Sequence, residues 1–330
     1  MRDFTLILTD LYFDQNAQPR EGSRLPALET ALARGDVADS RDWRAWVGQR
    51  IGLSFPPRIP VAAVARRADS PVNDASREGQ WWLAGCVHLE AGVDRVYLDM
   101  EVPALSAAAW RELEHGFNLA FSASGFRLMD GADAQAYLLS AEHLDADTVD
   151  PARVRGADIL PALPRGASAP ALKRLMTEIQ MWLHDHPVNI ARQESGAPTL
   201  SGLWIWGGGT LPPKPPATLP SLRSEDAFLR GLWTMGGGEA DPVPRSFQAL
   251  DLARDVAMIV ALTGAQSPTK SAAQVLSDLE RDWFLPALAA LRGGRIGRLQ
   301  LHINDRLLLL TRWSSRRWWR RARPGFEALT

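Results

Sequence analysis

Polar residues able to recognise an anion are concentrated in one stretch that begins at His186. The tetrapeptide His186-Pro187-Val188-Asn189 is followed by Arg192 and, a few residues later, by Ser201 and a triple glycine. Arginine supplies a fixed fork of donors for a carboxylate or phosphate, histidine and asparagine supply orienting hydrogen bonds, and glycine lets backbone amides approach a ligand closely. We therefore predict a binding site for a small anionic ligand or a protein partner, made of His186, Asn189, Arg192, Ser201, Trp206, Gly207, Gly208 and Gly209.

A purely structural interpretation of the same residues stays open. His186 would hydrogen-bond the last carbonyls of a helix, Asn189 would close an Asx turn, and Arg192 would be a solvated surface charge. That interpretation explains each residue separately but not why they occur together. A role in binding is therefore favoured.

The elements around this stretch are predicted from the spacing of apolar residues. Helical spacing runs from about Pro170 to Asp185 and cannot continue through Pro187, so a turn is expected from His186. The following apolar run is expected to be a central strand with Trp204 and Trp206 on opposite faces.

Glycine triplets are expected to complete this site as loops. Gly207 to Gly209 would close the tryptophan-containing strand, and a second triplet at Gly236 to Gly238 would converge on the same ligand. The proline-rich segment from Leu211 to Pro216 is extended, so the first triplet does not open the helix that a dinucleotide or P-loop motif requires.

Carboxylates near the N-terminus are weak candidates for a metal site. A short apolar run from Phe4 to Thr9 predicts a buried strand, and Asp10 and Asp14 follow its carboxyl end, where ligands collect in open α/β sheets. We expect the protein to have no cofactor. The alternative is a divalent metal such as Mn²⁺ or Zn²⁺. A second ligand set would combine Asp10 with His184, Asp185 and His186, but two histidines that are two residues apart at a helix end do not share a face.

The segment from Ala157 to Gly209 resembles archaeal-type, cofactor-independent phosphoglycerate mutases. The carrying features are the His186-Pro187-Val188-Asn189 turn, Arg192 and a strand that ends in tryptophan and glycines, although Ser201 stands where those mutases have asparagine. The resemblance implies an alkaline-phosphatase-like α/β core, with Asp10 as its first metal carboxylate.

The resemblance also implies a late cluster of histidines and carboxylates that this chain lacks. The expected His-x-Glu-x-x-Asp-x-x-x-His cluster is replaced by Thr263 to Lys270, which contains neither histidine nor carboxylate. Because a two-metal phosphoryl-transfer site needs several such ligands and a nucleophile, the resemblance implies a catalytically degenerate core.

Over the whole chain, the order of motifs resembles the RpfE-type regulatory proteins of proteobacteria. The motifs are Ile7 to Leu11, Ala68 to Val72, Met176 to Asn189, Leu203 to Gly209 and the tryptophan- and arginine-rich C-terminus. This resemblance implies a regulatory role and a bacterial origin.

The C-terminal segment, 312–330, is locally basic and aromatic. Its tryptophans are Trp313, Trp318 and Trp319, and its arginines are Arg312, Arg316, Arg317, Arg320, Arg321 and Arg323. Arginine beside indole suits phosphate contact with base stacking, and also anchoring on anionic lipid headgroups. The structural alternative is a terminal helix whose tryptophans dock on the body of the protein.

Composition is that of an ordinary globular protein. The net charge of -1 gives no overall attraction to nucleic acid or anionic membrane, and the single cysteine, Cys86, excludes an intrachain disulfide and a multi-thiolate zinc site. No secretory signal or transmembrane run is found, so a cytoplasmic location is expected.

The order of elements predicts an α/β fold, a layered mixed sheet with helices on both faces. The chain, 1–330, is expected to form one large unit with a possible sub-domain at about 61–165. Strands are predicted at Val61 to Ala65, Trp81 to Leu89, Arg95 to Val102, Val256 to Leu262, Leu299 to Ile303 and Arg306 to Arg312.

Three functions follow from these observations. The leading hypothesis is a catalytically degenerate mutase-like protein that binds a ligand or partner in a regulatory role. The second is a metal-dependent phosphomutase or phosphohydrolase that uses Asp10, Asp14, His186 and Arg192. The third is a nucleic-acid-binding protein that uses the C-terminal segment.

Overall fold

The computed structural model describes residues 2–11, 24–39, 42–55, 57–69, 79–99, 104–131, 135–216, 218–252, 256–263, 270–303 and 305–320. The chain divides into two compact units. Unit 1 comprises Met1–Ser54 and Lys214–Thr330, and unit 2 comprises Phe55–Pro213. The predicted sub-domain at 61–165 lies within unit 2. In the described ranges, no helix has the length and apolar character needed to cross a membrane.

The strands, in chain order, are β1 (Asp3–Leu8), β2 (Asp36–Asp39), β3 (Gln80–Val87), β4 (Leu89–Ala91), β5 (Val96–Leu98), β6 (Phe126–Asp130), β7 (Ala136–Ser140), β8 (Gly202–Gly209), β9 (Ser221–Ser224), β10 (Ala240–Asp241), β11 (Ala257–Leu262), β12 (Arg298–Ile303) and β13 (Arg306–Thr311). The helices are α1 (Pro26–Arg34), α2 (Trp43–Arg50), α3 (Val61–Asp69), α4 (Ala107–Phe121), α5 (Ala169–His184), α6 (Pro187–Glu194), α7 (Ala227–Gly236), α8 (Ala272–Leu279) and α9 (Leu285–Arg292). A π-helical turn, Glu280–Phe284, joins α8 to α9.

Unit 1 is built on a mixed sheet with the strand order β10-β9-β11-β1-β12-β13-β2. In this spatial order, the five strands β10, β9, β11, β1 and β12 run parallel to one another. Strand β13 is antiparallel to β12, and β2 is antiparallel to β13. The central parallel strands β1 and β11 are buried on both faces, which explains why they are nearly continuous apolar runs in the sequence.

Helices cover both faces of this sheet. Phe4, Leu6 and Leu8 of β1 pack into one apolar cluster with residues of α1, α8 and α9. On the opposite face, His302 of β12 packs against Trp46 of α2, with ring centroids 4.5 Å apart. The predicted layered α/β architecture is therefore confirmed.

Unit 2 contains an antiparallel sheet with the order β6-β7-β3-β8. One face packs against α4 and α5 through buried residues such as Trp82, Phe117 and Ile179. On the other face, the guanidinium of Arg66 in α3 lies 4.3 Å from the ring centroid of Trp81. A small separate hairpin pairs β4 with β5.

Two predicted elements of unit 2 differ in the structure. Val61 to Ala65 is helical rather than a strand, because its alanines favour a helix and a short apolar run does not by itself distinguish the two states. The strand predicted at Arg95 to Val102 is shorter, Val96–Leu98, and the end of its range lies outside the described residues.

Candidate functional site

His186 begins a helix instead of a polar turn. Helix α5 ends at His184, and His186 is the N-cap of α6, where its Nδ1 accepts a hydrogen bond of 3.3 Å from the backbone N–H of Val188. Pro187 stops the first helix but is well suited to the first position of the next, because its missing N–H is not needed there. The expected turn is thus corrected to the first turn of α6.

The imidazole of His186 is buried and neutral in this arrangement. It is 7% exposed and packs against Trp182 with ring centroids 4.6 Å apart. Burial lowers the pKa of His186, and the carboxylate of Glu112 opposes that shift only in part. A neutral ring is also what an accepting Nδ1 requires.

Asn189 joins the end of α5 to the entry of β8. Its Nδ2 donates to the carbonyls of Leu183 at 2.7 Å and Leu200 at 2.9 Å, and its Oδ1 accepts from the N–H of Leu200 at 2.7 Å. The side chain is 3% exposed. Its donors and acceptor are therefore committed to the backbone.

Arg192 also binds backbone carbonyls. Its Nε donates to Pro198 at 2.5 Å and its Nη1 donates to Ala104 at 2.7 Å. Its charge also acts on Cys86, whose pKa rises to about 12 because burial outweighs that charge. Two donors of Arg192 thus bind backbone carbonyls of the chain itself. Its contact with an anion stays a prediction.

The first glycine triplet is part of strand β8 and forms a bulge. Trp81 pairs with Gly209 and Leu83 pairs with Trp206, so that Gly207 and Gly208 together stand opposite Trp82. Gly207 has a φ of 65°. A Cβ at Gly208 would collide with the Trp82 indole, and one at Gly209 would come within 2.5 Å of Pro60. Close packing of side chains thus requires these glycines.

The second triplet ends a helix. Gly236 is the last residue of α7, and Gly237, with a φ of 78°, is its left-handed cap. The backbone N–H of Gly238 donates to the carbonyl of Trp233 at 2.9 Å. This triplet belongs to unit 1, and its likeness to the first one is confined to the sequence.

The two tryptophans of β8 share one face, so the prediction of opposite faces is wrong. Residues two apart in a strand point to the same side, and Trp204 and Trp206 pack in the same cluster with Val87. Leu203 and Ile205 face the cluster of α4 and α5. In the described sheet β8 is also an edge strand rather than a central one.

The predicted site residues of unit 2 occupy two ends of β8. Asn189 binds Leu200, immediately before the strand, whereas Gly207 to Gly209 form its last residues. Gly207 lies five residue steps along the strand from Gly202, which corresponds to about 17 Å. Asn189 and the triplet therefore lie at opposite ends of β8, and the binding of one ligand by the triplet, Arg192 and Asn189 stays a prediction.

A cavity lies beside the entry of β8 and includes Ser201. Its volume is about 290 Å³, at the lower end of the range for small-molecule sites. The polar lining residues are Ser201, Lys173, Thr177 and Gln180, and the apolar ones are Val87, Leu89, Ile159, Leu163, Met176, Leu203 and Trp204, with Gly202.

The contribution of α5 to this cavity is not evident from the apolar pattern of the sequence. Lys173, Thr177 and Gln180 are spaced by four and three residues, which puts them on one helical face. The apolar spacing of α5 drew attention to the opposite face, which packs on the sheet. Ser201 was identified, and its Oγ accepts a hydrogen bond of 2.9 Å from the N–H of Leu89.

Asp10 lies at the carboxyl edge of the large sheet, as predicted. The adjacent Thr9 donates through its Oγ1 to the carbonyl of Leu262 at 3.1 Å, which fixes the ends of β1 and β11 side by side. Asp14 and residues 264–269 lie outside the described residues. Among the described residues, no group of three or more His, Cys, Asp or Glu side chains could hold a metal ion.

The alternative ligand set is not brought together as a metal site. The Nε2 of His184 lies 3.9 Å from Asp185, with both side chains largely exposed, whereas His186 uses its Nδ1 to cap α6.

Comparison with known proteins gives a partial sequence match and no matching family model. The 2,3-bisphosphoglycerate-independent phosphoglycerate mutase of Methanosarcina mazei is 24% identical over 206 residues, 58% of this chain and 50% of that protein. A probable enzyme of the same description from Geobacter sulfurreducens is 29% identical over 115 residues, 34% of this chain and 29% of that protein. The chain is distantly similar to cofactor-independent phosphoglycerate mutases.

A third mutase and two solved structures complete the comparison. The enzyme of Methanothrix thermoacetophila is 31% identical over 91 residues, 28% of this chain and 23% of that protein. The cofactor-independent mutase of Thermoplasma acidophilum gives a TM-score of 0.41 at 18% identity, covering 94% of this chain and 90% of that one. The PH0037 protein of Pyrococcus horikoshii gives 0.47 at 13% identity, covering 99% and 91%. The chain spans half or less of each curated relative that it matches.

Proposed function

We propose that this mutase-like chain binds a small anionic molecule with an apolar body in the cavity beside Ser201, and that binding rather than phosphoryl transfer is its function. The RpfE-type resemblance supports a regulatory role for that binding, and the mutase similarity supports a degenerate alkaline-phosphatase-like core. The observation that carries the proposal is the commitment of Asn189 to Leu200, which holds Ser201 at the cavity wall.

The lining of the cavity fits this class of ligand. Leu163, Met176 and Trp204 supply apolar surface, which gains free energy when it loses contact with water. The ammonium of Lys173 and the hydroxyl of Ser201 supply a charge and a hydrogen bond for a carboxylate or phosphate. A few polar groups in an apolar lining are typical of small-molecule sites.

A thermal-shift experiment tests the proposal. Phenyl phosphate, hexyl phosphate, hexanoate and the phosphoglycerates are added to the full chain at increasing concentration. Binding to the native state raises the Tm in a concentration-dependent manner. We expect the apolar phosphates and carboxylates to raise it more than the phosphoglycerates do.

Variants localise the effect. Lys173→Met and Ser201→Ala should remove most of the shift, and Lys214→Met, which changes an exposed lysine of unit 1, should retain it. A shift of equal size in Lys173→Met, or no shift with any of these probes, contradicts the proposal.

The enzymatic alternative is favoured by one observation, the position of Asp10 at the carboxyl edge of the parallel strands. It expects Mn²⁺ or Zn²⁺ bound through Asp10 and interconversion of the phosphoglycerates. We expect elemental analysis of the purified protein to find no stoichiometric metal and a coupled assay to find no turnover. One or two equivalents of metal, with turnover abolished by Asp10→Ala, would establish the enzyme instead.

A further inference from the structure

The C-terminal part of unit 1 exposes three tryptophans beside a cluster of arginines. The side chains of Trp313, Trp318 and Trp319 are 82%, 78% and 64% exposed. Large aromatic side chains on the surface of a soluble domain mark interaction sites when they occur together. The structural alternative, in which these tryptophans dock on the body of the protein, is therefore wrong for the described residues.

Buried serines hold this segment in place. The hydroxyl of Ser314 accepts from the N–H of Thr311 at 2.8 Å, and the hydroxyl of Thr311 accepts from the N–H of Ser314 at 3.1 Å. Ser315, fully buried, donates to the carbonyl of Arg312 at 2.9 Å. Hydrogen bonds on both sides of Trp313 thus fix the backbone in the position that leaves its side chain exposed.

Positive charge from several elements gathers at the same place. Arg34, at the end of α1, donates to the carbonyl of Ser315 at 3.0 Å. The pKa of Arg292, at the end of α9, is lowered by burial and by the charges of Arg34 and Arg316. Arg312, Arg316 and Arg320 are exposed. Like charges held this close favour an anionic partner.

One carboxylate offsets part of this charge. Asp36 forms an ion pair with Arg317 and lies 3.7 Å from Arg320, and the guanidiniums lower the pKa of Asp36 chiefly through the hydrogen bond from Arg317. The guanidiniums of Arg312 and Arg316, on either side of Trp313 in the sequence, are exposed.

We propose that this surface, formed by Trp313, Trp318, Trp319 and the arginines around them, docks the protein on an anionic lipid bilayer. Tryptophan is enriched at the level of the headgroups because its ring is apolar and its N–H is polar, and arginine is attracted to acidic headgroups. The indoles of Trp318 and Trp319 meet edge to face, at 84° and 6.1 Å. They therefore offer no parallel platform on which successive bases of a nucleic acid would stack.

Vesicle flotation of the full chain tests this docking. Vesicles of phosphatidylcholine alone are compared with vesicles of phosphatidylcholine and phosphatidylglycerol at low and physiological salt. We expect binding to the anionic vesicles only, weaker at the higher salt because exposed charges are screened. Brominated lipid should quench part of the tryptophan emission, since the three indoles enter the interface.

Matched variants assign the binding to this surface. Replacing Arg312, Arg316 and Arg320 with glutamine should weaken partitioning roughly a hundredfold, about fivefold for each arginine. Replacing Trp313 and Trp318 with alanine should weaken it at least about tenfold and reduce the quenching, leaving only the part due to Trp319. The controls Arg174→Gln and Met181→Ala, which change exposed side chains of unit 2, should bind as the unchanged protein does.

Three outcomes overturn the proposal. They are no binding to anionic vesicles at low salt, equal binding by the tryptophan and arginine variants, and tighter binding of single-stranded DNA than of vesicles in fluorescence anisotropy. The last outcome would assign the surface to nucleic acid. Circular dichroism of each variant establishes that it is folded, so that lost binding is attributed to the surface.

Discussion

The carboxamide of Asn189 is hydrogen-bonded by the chain's own backbone at both of its polar atoms. A buried polar group that loses its partner costs more than the hydrogen bond was worth, because the remaining groups stay desolvated. The residue is therefore part of the architecture that places Ser201, whatever the cavity binds.

This role leads to a first prediction. Asn189→Leu leaves the N–H of Leu200 and the carbonyls of Leu183 and Leu200 without their partner, and we expect a loss of roughly 2–4 kcal/mol in the free energy of unfolding. Urea denaturation measures it. Gln193→Ala, an exposed change on the same helix, is the control and should stay within about 0.5 kcal/mol.

His302 supplies a prediction about pH. Its ring is 1% exposed, neither ring nitrogen has a hydrogen-bond partner among the described residues, and burial lowers its pKa to about 4 from an ordinary 6.5. The unfolded state binds this proton more readily than the folded state does. The contribution of His302 to the free energy of unfolding is therefore fully present above about pH 6.5 and is lost as the pH decreases toward 4. We expect the free energy of unfolding to decrease by roughly 2 kcal/mol between pH 7 and pH 4.5 because of this residue.

His302→Phe separates that contribution from other titrations. The variant should lose less stability between the two pH values than the unchanged protein does, measured by urea denaturation at each pH. His184→Gln, at a largely exposed position, should leave the difference unchanged. An identical pH dependence in His302→Phe would show that other groups account for it.

At the scale of elements, the bulge in β8 explains the glycine triplet without a ligand. Ala at 208 would drive a methyl group into Trp82, which is fully buried, so Gly208→Ala should lower the free energy of unfolding by roughly 2 kcal/mol or more. Gly202→Ala is the control within the same strand, because its added methyl group meets no atom within 4 Å. Equal losses in the two variants would contradict this explanation.

The π-helical turn between α8 and α9 also has a specific task. It presents Glu280, 5% exposed, to the start of α1, where the carboxylate accepts from Ala27 at 2.6 Å and Leu28 at 3.1 Å. Carboxylates are favourable at a helix N-terminus. Glu280→Gln turns one acceptor into a donor facing another donor, and urea denaturation should show a loss of roughly 1–3 kcal/mol that exposed Glu239→Gln does not show.

Elements that are stabilised by burial against a core are the ones that the sequence predicts correctly. Strands β1, β11, β12 and β13 and helix α5 have clear apolar patterns, because burial against a core fixes those patterns. The start of α6 was missed because a proline that ends one helix can begin another, and only the neighbouring backbone decides between them.

Candidate site residues were harder to predict than elements. His186, Asn189 and Arg192 have the composition of a ligand site, but their hydrogen-bond partners come from segments up to 88 residues away. No local pattern reveals that Ala104 or Leu200 will take up those donors. The cavity itself depends on α5 and β8 lying side by side, which is a property of the folded unit.

At the scale of the whole molecule, unit 2 is contiguous in sequence and unit 1 is not. In unit 1, β1 pairs with β11 and β12, which lie at the other end of the chain. Unit 2 contains both of its sheets, the helices that pack on them and two apolar clusters within one segment.

This arrangement leads to the last prediction. Residues 55–213 expressed alone should fold, because all the described pairing partners of β3 to β8 and the buried surfaces of α4 and α5 lie within that segment. We expect a single cooperative urea transition, since a domain with its own core unfolds as one unit. Residues 1–54 alone should remain unfolded, because β1 then lacks both of its neighbouring strands. A fragment 55–213 without a cooperative transition, or with exchange-protected amides confined to isolated helices, would show that its core requires the rest of the chain.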